Sequence, residues 1–129
     1  MKNLLFFCTL LNFLMILTAQ TYKLDEAIYS YWSENDWVYS SKYNYEYDEN
    51  ANTSYLYYKE WTGSSWRDNM KYEYLYDAEN RISLINILQY VEEMWKEYMK
   101  IEYTYSLENN DYETVTFILN GTVWDNYTK

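Results

Sequence analysis

The chain has 129 residues, with 20 Asp and Glu against 10 Lys and Arg, a formal net charge of -10, no His and no Pro. Nucleic-acid affinity comes mainly from neutralising phosphates with Lys and Arg, so this balance weighs against a nucleic-acid partner and against an electrostatic grip on anionic lipid. Its one cysteine is Cys8, so the rest of the chain offers no disulfide, no thiolate or imidazole metal site and no Ser-His or Cys-His nucleophile pair.

The N-terminus reads as a processing signal. Lys2 supplies a positive start, Leu4 to Leu17 form an apolar run broken only by Thr9 and Asn12, and Thr18-Ala19-Gln20 offers a small-residue exit. The run is short for a bilayer span and is followed by polar chain, as in a secretory leader. The expectation is a signal peptide over residues 1–20, cleaved after Ala19 or Gln20, with the domain at 21–129 exported to the cell envelope or medium and carrying no transmembrane segment. Cys8 follows Phe6-Phe7 too close to the start to be a lipidation site.

Beyond the leader a period dominates. Trp37, Trp66, Trp95 and Trp124 are spaced 29 residues apart, and Lys42, Lys71, Lys100 and Lys129 keep the same beat. Tyr43, Tyr45 and Tyr47 are followed in phase by Tyr72, Tyr74 and Tyr76, then by Ile101, Tyr103 and Tyr105. A fixed period points to one supersecondary unit copied in tandem. The copies run over about 24–50, 51–79, 80–108 and an incomplete 109–129, which ends either as a half-repeat cap or as part of a longer array.

Each copy reads as a β-hairpin. A first stretch ends near Trp32, Trp61, Tyr90 or Leu119, and a polar break follows, such as Ser33-Glu34-Asn35-Asp36 or Thr62-Gly63-Ser64-Ser65. The second stretch begins at the phased tryptophan and closes at Asp48-Glu49-Asn50, Asp77-Ala78-Glu79-Asn80 or Ser106-Leu107-Glu108-Asn109. These breaks hold residues that bond their own backbone or tolerate left-handed geometry.

The second stretches alternate. Trp66, Met70, Tyr72, Tyr74 and Tyr76 share one parity, and Arg67, Asn69, Lys71 and Glu73 the other. That is the signature of a half-buried antiparallel strand. It predicts tryptophan and tyrosine columns on one face, with Trp37, Trp66, Trp95, Trp124, Tyr45, Tyr74 and Tyr103 as repeat-core aromatics, and the lysines on the opposite face. Ile82 to Leu88 is apolar on both parities, which predicts a strand covered on both faces. Residues 82–100 also contain good helix formers around Val91-Glu92-Glu93-Met94, but their phase with the sister copies assigns a hairpin. The fold expected is all-β: an antiparallel meander of tandem 29-residue hairpins, about eight strands, open and twisted or partly curled toward a barrel.

The string Tyr74-Leu75-Tyr76-Asp77-Ala78-Glu79-Asn80-Arg81-Ile82 resembles the Tyr-Asp-x-x-Gly-Arg-Leu core of YD (RHS-type) repeats, with Asn80 in place of the glycine and Ile82 in place of the leucine. Tyr47-Asp48 continues that pattern. Leader and Trp- and Tyr-rich copies together also resemble secreted tandem-repeat proteins of Bacteroidetes-type bacteria. These resemblances imply extracellular β-hairpin repeats and no particular reaction, and eight strands are too few for a closed shell of the YD kind.

Three sets of residues are candidates for chemistry. Trp and Tyr faces stack on sugars, and Trp32 and Trp61, beside the turns, are the rings expected to be exposed for such stacking, whereas the phased rings are expected to pack as core. Glu46, Glu73 and Glu102 are carboxylates of the glycosidase type, yet their recurrence in each copy reads as solubilising charge, with Glu73 and Glu102 weakly paired to Lys71 and Lys100. The acidic turns lack the dense alternation of oxygen ligands and glycine of calcium loops. Asn52-Thr53-Ser54, Asn120-Gly121-Thr122 and Asn126-Tyr127-Thr128 match the glycosylation triplet, without meaning in a bacterial chain.

The functional expectation is a non-enzymatic repeat module, without cofactor or metal, that presents an aromatic β-surface to a protein or glycan partner. A carbohydrate-binding module is the alternative, and a glycoside-active enzyme a third reading. The unpaired edge left by the incomplete last copy predicts self-association through edge strands.

Overall fold

Stretches rich in Tyr, Trp, Ile and Thr favour extended backbone, because rings and branched chains fit a pleated surface. In the computed structural model, which describes residues 23–106 and 111–127, they form eight strands. These are β1 (Glu26–Ser33), β2 (Asp36–Tyr47), β3 (Thr53–Trp61), β4 (Trp66–Tyr76), β5 (Ile82–Val91), β6 (Met94–Tyr105), β7 (Tyr112–Asn120) and β8 (Val123–Asn126). They make one antiparallel meander in the order β1 to β8, and the sheet is open, since β1 and β8 are not paired. The expected leader at 1–20, Leu107 to Asn109 of the third acidic turn, and Lys129 lie outside the described residues.

Residues 82–100 lie not in a helix but in a hairpin of β5 and β6. Its two-residue turn is Glu92-Glu93, with φ of 55° and 62°, and Glu34-Asn35 repeats that geometry at 47° and 74°. Two positive φ values match the right-handed twist of the flanking strands. Gly121 (φ 65°) and Gly63 (φ 93°) serve the other two tips.

The pairing register decides which side chains share a face, because directly opposed residues point the same way. One row runs Tyr45, Leu56, Tyr72, Ile87, Met99, Ile118 from β2 to β7. Beside it run Tyr74, Ile85, Ile101 and, on the other flank, Tyr43, Tyr58, Met70. We call this the tyrosine face. On the other face run Asn44, Tyr57, Lys71, Leu88 and Tyr55, Glu73, Asn86, Lys100, Phe117.

The phased tryptophans lie on that second face, with the lysines, and this corrects the parity expected from sequence. Register shifts between Tyr29/Ser30, Tyr58/Lys59 and Ile87/Leu88 leave Ser40, Asn69 and Tyr98 as extra residues in β2, β4 and β6. One extra residue turns the strand over relative to simple alternation. Trp37, Trp66 and Trp95, which precede the bulges, therefore project opposite to the tyrosines that follow them. Further shifts between Glu46/Tyr47 and Leu75/Tyr76 mark the other strand ends.

Hydroxyls seal those ends. Tyr47, Tyr76 and Tyr105 donate to the carbonyl oxygens of Leu24, Thr53 and Ile82 at 2.8, 2.9 and 2.8 Å. There is no second layer among the described residues, and only Ile87, 9% exposed, is buried. The expectation that β5 is covered on both faces is thus corrected: Leu84 and Leu88 on its tryptophan side stay half-exposed.

Candidate functional site: an aromatic lane on the tryptophan face

Each hairpin tip carries one cross-strand pair just before its turn: Trp32–Trp37, Trp61–Trp66, Tyr90–Trp95 and Leu119–Trp124. The three ring pairs meet edge to face, with centroids at 5.5, 5.1 and 5.0 Å. That is the favoured geometry for opposed ring quadrupoles, worth about 0.5–1.5 kcal/mol per pair beyond burial. The tryptophan beat is therefore first a device that staples hairpin tips.

Neighbouring tips are joined. Tyr39 sits 5.4 Å from Trp61 and 5.6 Å from Trp66, so a continuous group of rings crosses β2 to β4. Lys42 Nζ lies 5.4 Å over the Trp66 ring, and Lys100 Nζ lies 5.4 Å over Trp124. Tyr57 bridges to Trp95 at 6.3 Å. Each of the last three phased tryptophans is thus covered by a side chain from the hairpin before it and is half-buried.

Trp37 differs, and two expectations are corrected by it. It has no preceding hairpin among the described residues, and at 65% exposed it is more open than Trp32 at 59%, so it is not a core residue. Trp61, expected to be exposed, is half-buried between Trp66 and Tyr39. Tyr39, 48% exposed, was not singled out by sequence and completes the open end of the lane.

Charges rim the lane. Lys42 pairs with Glu26 at 2.9 Å, Lys59 with Asp68 at 2.8 Å, Lys71 with Glu73 at 2.8 Å and Lys100 with Glu102 at 2.7 Å. Lys71 Nζ also lies 4.3 Å from the centre of Tyr55. Desolvation works against the charge on Lys71, but Glu73 and the neighbouring tyrosines outweigh it and hold its pKa above the ordinary lysine value. Hydrogen bonds from Lys42 and Asn44 hold the Glu26 carboxyl below the usual range.

Two of the carboxylates considered for glycosidase chemistry are therefore engaged by lysine. Glu46 and Glu73 share a row with Tyr55 standing between them. Asp48 and Asp77, considered as calcium ligands, cap their own turns: Asp48 Oδ1 accepts from the Asn50 and Asn52 amides, and Asp77 Oδ1 from those of Glu79 and Arg81. Tyr45, Tyr74 and Tyr103 lie on the far face and climb it diagonally, because Tyr45 is in register with Tyr72 rather than with Tyr74.

No protein-family model matches the chain, and no curated protein matches it. Two solved structures are similar in fold. One is a DUF3836 family protein from Bacteroides vulgatus ATCC 8482, with a TM-score of 0.59 and 22% identity over 67% of this chain and 90% of that one. The other is a DUF3836 family protein from Parabacteroides distasonis ATCC 8503, with a TM-score of 0.55 and 15% identity over 63% of this chain and 77% of that one. At such identities the likeness is one of fold alone.

Proposed function

We propose that this chain is a non-enzymatic, exported binding and display module whose working surface is the aromatic lane of the tryptophan face. One observation carries the reading: Trp37, Trp32 and Tyr39 leave 65, 59 and 48% of their surfaces open on one face, next to Trp61 and Trp66. Adjacent exposed rings with a polar rim mark interaction surfaces. Export rests on Lys2 and the apolar run from Leu4 to Leu17. A duplicated hairpin as the building unit rests on the 29-residue beat of tryptophan and lysine, and on extra residues at Ser40, Asn69 and Tyr98 in matching places. The non-enzymatic reading rests on the absence of His from the sequence and on the lysine pairing of Glu73 and Glu102.

Radical footprinting tests the lane. Trp32 and Trp37 of the exported chain are labelled in place on the producing cells and again after purification. Protection in place with full labelling when pure is the expected result. Equal labelling in both settings removes the lane as a working surface.

A carbohydrate partner is the second reading, and the Trp32–Trp37 pair favours it. With 76° between the planes, one ring props the other, and two exposed ring faces suit stacking on a sugar ring. A glycan array and tryptophan quenching by oligosaccharides decide it; silence in both eliminates sugars and leaves a protein partner.

A further inference from the structure

We propose that two copies of this chain pair through their tyrosine faces, closing a two-layered sandwich with both tryptophan faces outward. The tyrosine face divides at the middle of the sheet. On β2 and β4 it presents Tyr45, Tyr72 and Tyr74, and on β5 to β7 Ile87, Ile101 and Ile118. A twofold axis between β4 and β5 lays the phenolic half of each copy over the aliphatic half of the other. That is the self-complementarity an isologous contact requires.

Charge suits the centre of this face to a like copy. The chain carries a net -10, and the ion pairs Lys42–Glu26, Lys71–Glu73 and Lys100–Glu102 stand on the opposite face. From β2 to β7 the rows through Tyr45 and Tyr74 hold no charged residue, so two acidic copies meet there without opposed like charges. Nearer the hairpin tips the same face carries Glu60 and Arg67, which pair with each other, and Lys96.

The area is sufficient. Three rows about 6.8 Å apart over six strands about 4.8 Å apart cover roughly 500 Å² of flat sheet. Two such faces bury about 1,000 Å² before side-chain relief is added, which brings them to the roughly 1,200–2,000 Å² of stable interfaces. The β8 edge is less suited: it has four residues, and short edges resist pairing. This pairing is independent of what the tryptophan face binds.

Sedimentation equilibrium of the exported chain is expected to give twice the chain mass across micromolar concentrations. In a Cys8→Ser background, Tyr72→Cys, beside the proposed axis, is expected to be captured as a covalent dimer by a short bis-maleimide, and Glu73→Cys, one residue away on the other face, is not. A strict monomer at all concentrations overturns the proposal even if Tyr72→Cys fails to fold. So does a dimer captured through Glu73→Cys, or one that neither cysteine captures, which is the signature of edge pairing.

Discussion

Asn52 and Asn80, 28 residues apart, are joined by a reciprocal amide pair across neighbouring turns: Asn52 Nδ2 donates to Asn80 Oδ1 at 2.6 Å, and Asn80 Nδ2 donates back to Asn52 Oδ1 at 3.1 Å. The pair couples the turn after β2 to the turn after β4. Asn80 also holds a left-handed backbone with φ 64°, a conformation that Asn tolerates better than most residues with a Cβ. Two effects therefore meet in one residue, and substitution separates them. Asn80→Gly keeps the backbone and loses the pair, which is expected to cost about 0.5–1 kcal/mol in urea unfolding. Asn80→Ala loses both and is expected to cost about 1 kcal/mol more. In an Asn52→Ala background Asn80→Gly should be close to neutral; an unchanged cost there would show that the pair carries no stability.

The Glu92-Glu93 tip is strained. Both residues are β-carbon-bearing and left-handed, and neither is among the residues that turns of this kind prefer. Left-handed backbone costs roughly 1–2 kcal/mol for an ordinary residue. Glu92→Asn with Glu93→Gly is expected to stabilise the protein by about 1–2 kcal/mol, raising Tm by several degrees. The ion pair from Lys96 to Glu92 is lost, but both partners are largely in solvent and its loss costs little. A fall in Tm would mean that β5 and β6 take their register from something other than this turn.

Phased tryptophans are not equivalent, and their truncation should reveal it. Trp66 meets Trp61, Tyr39 and the Lys42 ammonium, whereas Trp37 meets Trp32 at the outer hairpin. At about 0.5–1.5 kcal/mol per ring contact, Trp66→Ala is expected to cost about 2–3 kcal/mol and Trp37→Ala about 1 kcal/mol. Urea midpoints measure both. Equal costs would contradict the gradient of cover from the first hairpin inward.

Strand count, strand order and turn positions were legible because they rest on local chemistry, polar breaks between stretches of alternating aromatic residues. The Ser33 to Asp36 break and the phase of Trp95 with Trp66 each pointed to a hairpin tip, and four tips make eight strands. What alternation alone hid was the turning over of β2, β4 and β6. Their extra residues are Ser40, Asn69 and Tyr98, which share no side-chain chemistry, so nothing local announces a bulge. For that reason Trp66 and Tyr72, of one parity in sequence, belong to opposite faces. Exposure was hidden for a different reason: among the described residues no hairpin precedes β1 to cover Trp37, a fact of position rather than of residue type.

Alkaline pH probes the tyrosine face directly. Burial, first of all, pushes the pKa of Tyr72 and Tyr74 above the ordinary phenol value, and for Tyr74 the neighbouring Tyr72, Tyr76, Tyr45 and Tyr103 add to the effect. Ionising Tyr74 would place charge in a row with Ile85 and Ile101. The sign follows from the linkage between protonation and folding: the folded state holds the proton more tightly than the unfolded chain, whose tyrosines titrate near pH 10. The stability tied to neutral phenols is therefore complete below about pH 10 and is lost as pH rises through the higher folded values. Ultraviolet titration of tyrosinate is expected to show a late-ionising group among the 19 tyrosines, with unfolding accompanying it. Tyr74→Phe should move the loss of stability to higher pH, since it removes one of the groups that must otherwise ionise in the sheet. A single tyrosine transition at the ordinary value, with no loss of structure, would mean that the face is as wet as free tyrosine and holds no part of the fold together.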